Sequence, residues 1–211
     1  MICVSISGRD QIAEAVNLGT GLLELRLDLI GEKPADLYRE IPAGTATVAT
    51  CRPGILSDDE RMAMLGACLD LGATWIDVEL DSAESYLEEL RSRIKVSIGG
   101  MIISHHDFES TNGREELFRL MERCYERGGD IAKIATMVNS TRELLDLLSL
   151  YDWPGRKVVI GMGETGRIAR VMTPYLGSEF TFASMEEKRM TAPGQLTVRQ
   201  LKEIYKLIDY P

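Results

Sequence analysis

The residues most suggestive of chemistry stand in short apolar runs. Lys133 lies in Asp130-Ile131-Ala132-Lys133-Ile134-Ala135, where its central neighbours are small or aliphatic and none offers a solvated surface. Desolvation disfavours an ammonium, so such a lysine should lose its proton more easily and act as an amine nucleophile toward a carbonyl. A lysine reaching from a strand end to solvent is the alternative. The two histidines of the chain are adjacent, His105 and His106, and are followed by Asp107-Phe108. Successive strand residues face opposite sides, so one of them alone can point into a shared site, and the same alternation argues against a two-histidine metal site. A single histidine near Lys133 suits proton transfer at neutral pH, and a satisfied structural histidine is the bland reading.

Two further constellations place charge in apolar surroundings. In Glu24-Leu25-Arg26-Leu27-Asp28-Leu29 the polar side chains fall on one strand face and the leucines on the other. If helices cover the leucines, Glu24 and Arg26 point inward and must pair with each other or bind something polar. An edge strand with one solvated face is the competing reading. Gly161-Met162-Gly163-Glu164-Thr165-Gly166 matches GxGxxG after a strand, but a dinucleotide fingerprint belongs to the first βαβ unit, whereas here one strand remains. The same glycines read instead as an anion-binding loop, with Arg167 and Arg170 on the helix that follows, or as a tight turn requiring small residues.

Eight apolar runs carry these residues, at 2–6, 22–28, 46–50, 74–79, 98–104, 130–135, 157–162 and 179–182. Each gap holds one segment with helical spacing. The clearest runs from Ser57 to Leu71, with Ser57 as N-cap, Glu60 at capping-box distance and Gly72 as the stop; Gly113 and Asn139 open two more. Eight strands alternating with eight helices predict parallel pairing and an α/β fold, a compact (β/α)8 TIM barrel occupying residues 1–211 as one domain. A doubly wound open sheet is the structural alternative. The thirteen residues from Ala183 to Gln195 form the one long connection, which suggests a lid or a surface loop.

Composition narrows the classes of function. The chain has 211 residues, 45% of them hydrophobic, and 24 basic against 33 acidic residues leave a net charge of −9. Such a balance repels a polyanion, so no nucleic-acid partner is expected. No basic stretch leads into an apolar segment at the start and no run reaches the roughly 18 residues of a bilayer span, so the chain reads as soluble and cytoplasmic, with no membrane partner. Cys3, Cys51, Cys68 and Cys124 never approach CxxC spacing and read as reduced core residues.

Taken together, ELRLD at 24–28, TCR at 50–52, SHHDF at 104–108, KIA at 133–135, MGETGRIAR at 162–170 and APGQ at 192–195 resemble type I 3-dehydroquinate dehydratase, in that family's order across nearly the whole chain. The resemblance implies a (β/α)8 barrel of the shikimate pathway that dehydrates 3-dehydroquinate without metal or organic cofactor. It implies that Lys133 forms a Schiff base and that His106 is the general acid and base. Glu24, Arg26, Arg52, Arg170 and Gln195 fall on substrate-binding positions, as do Ser5 and Thr191, the latter usually serine in the family. The substrate carboxylate is assigned to Arg170, and a homodimer is one assembly open to such a barrel. One departure stands out: the family commonly places a histidine-orienting glutamate a few residues after the arginine matched by Arg52, and here Leu56 occupies that place. Asp58 or another carboxylate must supply the role, or the histidine lacks it. An aldolase-like Schiff-base barrel and a non-catalytic metabolite-binding barrel are the rival functions.

Overall fold

The computed structural model describes residues 1–94 and 99–208. Nine strands are present among them: β1 (Ile2–Ile6), β2 (Gly21–Arg26), β3 (Ala46–Thr50), β4 (Trp75–Glu79), β5 (Gly100–Asp107), β6 (Ile131–Met137), β7 (Lys157–Met162), β8 (Thr181–Ser184) and β9 (Leu196–Thr197). All pair in parallel, in the order β7-β6-β5-β4-β3-β2-β1-β8-β9. Strands β1 to β7 follow one another in unbroken sequence order and the last full strand, β8, pairs with β1, so the sheet returns to its own start, without the mid-sheet reversal of strand order that marks a doubly wound sheet. The seam between β8 and β7 is joined where Glu179 N donates to the Lys157 carbonyl at 3.0 Å. The expected (β/α)8 barrel is therefore the architecture.

The helices are α1 (Ile12–Asn17), α2 (Leu27–Ile30), α3 (Pro34–Tyr38), α4 (Asp58–Asp70), α5 (Glu84–Ile94), α6 (Arg114–Glu126), α7 (Thr141–Leu148), α8 (Gly163–Met172) and α9 (Val198–Ile208). On α4 the capping box forms as expected: Ser57 Oγ accepts from Glu60 N and the Glu60 carboxylate accepts from Ser57 N at 2.8 Å. Gly72 follows with φ of 92°, a conformation that stops the helix without a Cβ penalty.

Several expectations need correction. Strict alternation fails between β2 and β3, where two short helices replace one, because Gly31 at φ of 70° ends α2 and Pro34 starts α3. The last full strand lies at Thr181–Ser184 rather than 179–182, and Leu196–Thr197 adds a ninth, too short for any periodic signal. The N-cap of α7 is Ser140, whose Oγ accepts from Glu143 N, whereas Asn139 sits one residue before it. Residue 98, the expected start of the fifth strand, lies outside the described residues.

Burial divides the interior into two apolar zones. Leu23, Leu25, Ile76, Ile103, Ile134 and Val159 face the helices, forming the layer between barrel and sheath. The alternate positions Cys3, Leu22, Val48, Ile102, Ile131, Val158, Phe180 and Phe182 fill the lumen. Above this plug, the same inward parity brings Ser5, Glu24, Thr50, Asp77, Ser104 and Lys133 into the barrel, all buried. The polar side chains thus collect toward the C-terminal ends of the strands, the end at which loops can close a site.

Candidate active site

A cavity of about 470 Å³ opens there. Its wall includes the nine residues to which the resemblance gives catalytic or substrate-binding positions, Ser5, Glu24, Arg26, Arg52, His106, Lys133, Arg170, Thr191 and Gln195, together with Glu79, Phe108 and Phe182. Alternation allows one of the two histidines to face inward, and His106 is the one in this wall. His106 Nδ1 lies 3.1 Å from Glu79 Oε2, and the Phe108 ring lies nearly parallel to the imidazole at 6.1 Å. His105 does not line the cavity, and its Nε2 is buried without a hydrogen-bond partner.

Lys133 is 3% exposed, but it is not the unpartnered amine its strand suggests. Nζ donates to Asp77 Oδ2 at 2.8 Å and stands 4.4 Å from the centre of the Phe182 ring. Asp77 is enclosed completely. Its other oxygen, Oδ1, accepts from Arg52 Nη1 at 2.8 Å and from Ser104 Oγ at 2.6 Å. Arg52 Nη1 also donates to Glu79 Oε1 at 2.7 Å. Burial by itself would raise the Asp77 carboxyl, but Arg52 and Lys133 outweigh it and hold the group well below the usual carboxylate range. Glu79 is likewise held down, burial being overcome by the His106 hydrogen bond and by Arg52. For His106, burial and the nearby Arg52 guanidinium outweigh the Glu79 contact and push the imidazole down to about 4. The ring is neutral at pH 7. Because an ionised Glu79 can only accept, Nδ1 carries the hydrogen and Nε2 is left as the base.

Glu24 and Arg26 do not pair with each other. Glu24 accepts from Ser5 Oγ at 2.6 Å and from Thr50 Oγ1 at 3.0 Å, while Arg26 forms a two-point contact with Asp28 at 3.1 and 2.7 Å. Inward-pointing charge was legible from the alternation, but its partners come from neighbouring strands and the following helix. Gln195 Nε2 donates to Ser5 Oγ at 3.3 Å, and its Oε1 accepts from Thr191 N and Oγ1.

Arg170 differs from every other cation in the wall. It is 1% exposed, its Nη2 donates to the Pro193 carbonyl at 3.1 Å, and its Nε has no partner. Among the described residues no carboxylate pairs with it, and burial, with the positive charge of Arg167, lowers its guanidinium to about 10. Arg167 itself is exposed. Of the 161–166 run that precedes them, Met162 lines the cavity and the glycines do not. A Cβ on Gly161 would meet the Gly166 carbonyl at 2.6 Å, and Gly163 N donates to the Pro193 carbonyl, so the glycines serve a tight turn.

Sequence reasoning missed Asp77 and Glu79, although Trp75-Ile76-Asp77-Val78-Glu79 carries the same period-two signal used at Glu24 and Arg26. The position filled by Leu56 is taken up elsewhere: Asp58 is 71% exposed and binds Arg61, so the carboxylate on the histidine is Glu79. Among the described residues no group of three His, Cys, Asp or Glu side chains is placed to hold a metal ion, and no helix is long and apolar enough to cross a membrane.

Comparison with known proteins gives this arrangement its lineage. The chain is 32% identical over 226 residues to the 3-dehydroquinate dehydratase of Methanocaldococcus jannaschii, covering 99% of each. Its fold is similar to the 3-dehydroquinate dehydratase of Geobacillus kaustophilus, with a TM-score of 0.88 at 23% identity over 99% of this chain and 90% of the other. The 3-dehydroquinate dehydratase of Aquifex aeolicus gives a TM-score of 0.82 at 27% identity, over 98% of both chains. The family model for type I 3-dehydroquinase matches residues 2–210. With that match spanning the strands that carry the paired lysine and histidine, the chain belongs to the type I 3-dehydroquinase family.

Proposed function

We propose that this protein is a hydro-lyase that converts 3-dehydroquinate to 3-dehydroshikimate, a step of the shikimate pathway, through a Schiff base on Lys133. The observation that carries the reading is the placement, around one cavity, of a buried lysine, a neutral histidine held by a carboxylate and a buried arginine with no acidic partner among the described residues.

The chemistry follows from those groups. Lys133 Nζ adds to the substrate ketone and expels its oxygen as water, giving an iminium. The iminium acidifies the adjacent C–H, whose proton passes to His106 Nε2 while the electron pair moves toward nitrogen as an enamine. The enamine then expels the β-hydroxyl, which takes the proton from His106 and leaves as water. Hydrolysis of the remaining iminium consumes one water and frees Lys133, so one water is released per turnover. Glu79 steadies the imidazole as its charge changes. Arg170 receives the substrate carboxylate, because a planar guanidinium offers two parallel donors and this one has its Nε free. Ser5, Glu24, Arg26, Thr191 and Gln195 supply hydrogen bonds to the hydroxyls.

Incubation with 3-dehydroquinate should generate the absorbance of a conjugated enone carboxylate. Borohydride added during turnover should reduce the iminium and leave the ligand on Lys133, and Lys133→Met should abolish both signals while keeping the fold, since methionine fills a similar volume without charge. Labelling at another lysine would sink the Schiff-base assignment, and absence of the enone would sink the activity.

A further inference from the structure

The family resemblance puts Arg52 among the substrate-binding positions, yet its Nη1 is directed at three protein acceptors: Asp77 Oδ1 at 2.8 Å, Glu79 Oε1 at 2.7 Å and Ser104 Oγ at 3.1 Å. The two carboxylates use their oxygens in the same way. Asp77 gives one to Arg52 and the other to Lys133; Glu79 gives one to Arg52 and the other to His106. We propose that Arg52 is a positioning residue that couples the lysine half of the site to the histidine half, by bridging Asp77 and Glu79 through one guanidinium nitrogen.

The inference rests on the roles given to Lys133 and His106 above. Asp77 and Glu79 stand two residues apart on one strand face and repel each other without a shared cation. With Arg52 on one oxygen, each carboxylate is held so that the other oxygen faces its catalytic group. The charged groups acting on His106 are Arg52 and Lys133, which disfavour its protonation, and Glu79, which favours it. Without Arg52, protonation of His106 becomes easier and the Glu79 carboxylate that orients its ring loses an anchor. Asp77, meanwhile, is left with Lys133 as its remaining cationic partner. Both halves of the site lose alignment from one substitution.

Arg52→Met in the full chain tests this with two measurements. The chain has only two histidines, so imidazole nitrogen NMR of the ligand-free protein resolves both, and His105→Gln assigns them. His106 should titrate about one pH unit or more higher than in the parent. Steady-state kinetics with 3-dehydroquinate should show kcat reduced on the order of 10²-fold, with a much smaller change in KM, and a slower approach to the borohydride-trapped adduct. Arg52→Lys keeps the charge and should leave the titration near that of the parent, but the shorter lysine stem does not carry its nitrogen to the place of Nη1 between Asp77 and Glu79, so kcat should stay well below it. A raised KM with kcat and the His106 titration unchanged would overturn the proposal and make Arg52 a substrate contact only. If Arg52→Met does not fold, Arg52→Lys decides alone: a kcat loss at nearly constant KM supports the bridge, and a change in KM alone overturns it. A parent protein without dehydratase activity defeats the proposed function, while the titration still reports on the bridge.

Discussion

The wall built from β3 to β6 and the wall built from α8, the 185–195 segment, β1 and the Glu24 position of β2 handle buried charge in opposite ways. On the first, Arg52, Asp77, Glu79, His106 and Lys133 satisfy one another before any ligand arrives. On the second, the buried Arg170 donates to the Pro193 backbone carbonyl and has no carboxylate partner among the described residues, and Glu24 is held by hydroxyls. Paired charges give fixed geometry and resist displacement, which suits groups that must transfer protons along defined directions. An unpaired buried cation is costly in the free protein and stands ready for an anion, which suits a binding contact. On the proposed mechanism, chemistry and recognition are thereby allotted to different walls.

The sharpest break in that comparison is His106→Ala. It should lower turnover by a factor on the order of 10² to 10⁴, the usual worth of a positioned acid–base group, while the Lys133 adduct still forms slowly. His105→Ala, which removes a side chain outside the cavity, should cost far less. A steady-state assay that reversed the two would place the wrong histidine in the paired wall.

Next in size is Asp77→Asn. Removing the shared anion leaves Lys133 and Arg52 as neighbouring cations in a buried site, and breaking a buried pair in this way typically costs about 3–5 kcal/mol. Denaturant unfolding should show that loss. A change below about 1 kcal/mol, the range of an exposed pair, would show that the wall is far more hydrated than its burial implies.

Much of the paired wall was legible in the sequence and part was not, for a physical reason. Lys133 and His106 stand out because each is the exceptional residue in a run whose inward face is fixed by strand alternation. Asp77 and Glu79 obey the same alternation, but carboxylates are the commonest charges in this acidic chain. Their meaning comes from Arg52, some 25 and 27 residues away in sequence, which reaches them only because β3 and β4 are neighbours. Arg170 was legible as an arginine on a helix following a glycine turn. Its lack of an acidic partner depends on burial that no local pattern records. The short strand β9 was hidden because two residues carry no period.

Acid should act on the paired wall first. The folded pKa of His106 is depressed from an ordinary 6.5 to about 4, and those of Glu79 and Asp77 are also depressed, so the folded state prefers all three without their added protons. The stability from His106 is therefore fully present above 6.5 and is lost as pH falls toward about 4, amounting to about 3 kcal/mol at 1.36 kcal/mol per unit. Unfolding free energies measured above and within that window should fall with pH in the parent and fall less in His106→Gln. Parallel curves would mean that the histidine is not held neutral by its surroundings.

The smallest effect is also the one that most separates the two walls, because its sign is opposite. Among the described residues no carboxylate pairs with the buried Arg170, and its guanidinium is pushed down to about 10 by burial and by Arg167, so the free protein bears a desolvation cost there that no ion pair among them offsets. Replacing such a charge with an apolar side chain of similar reach removes that cost at the loss of one hydrogen bond to Pro193, and exchanges of buried charge for apolar packing are often stabilising by 1 kcal/mol or more. Arg170→Met should accordingly raise the unfolding free energy by about 1 kcal/mol while impairing substrate binding strongly, the trade expected where a site holds a group against stability. Arg170→Lys should recover part of the binding, since an ammonium supplies charge without the fork, and Arg167→Ala should leave binding near that of the parent because Arg167 faces solvent. Thermal and denaturant unfolding of Arg170→Met, measured beside its KM for 3-dehydroquinate, decides the matter. A clear loss of stability would mean that Arg170 is a structural tie for the 185–195 segment, and the contrast between a paired and an unpaired wall would then not describe how this cavity divides its work.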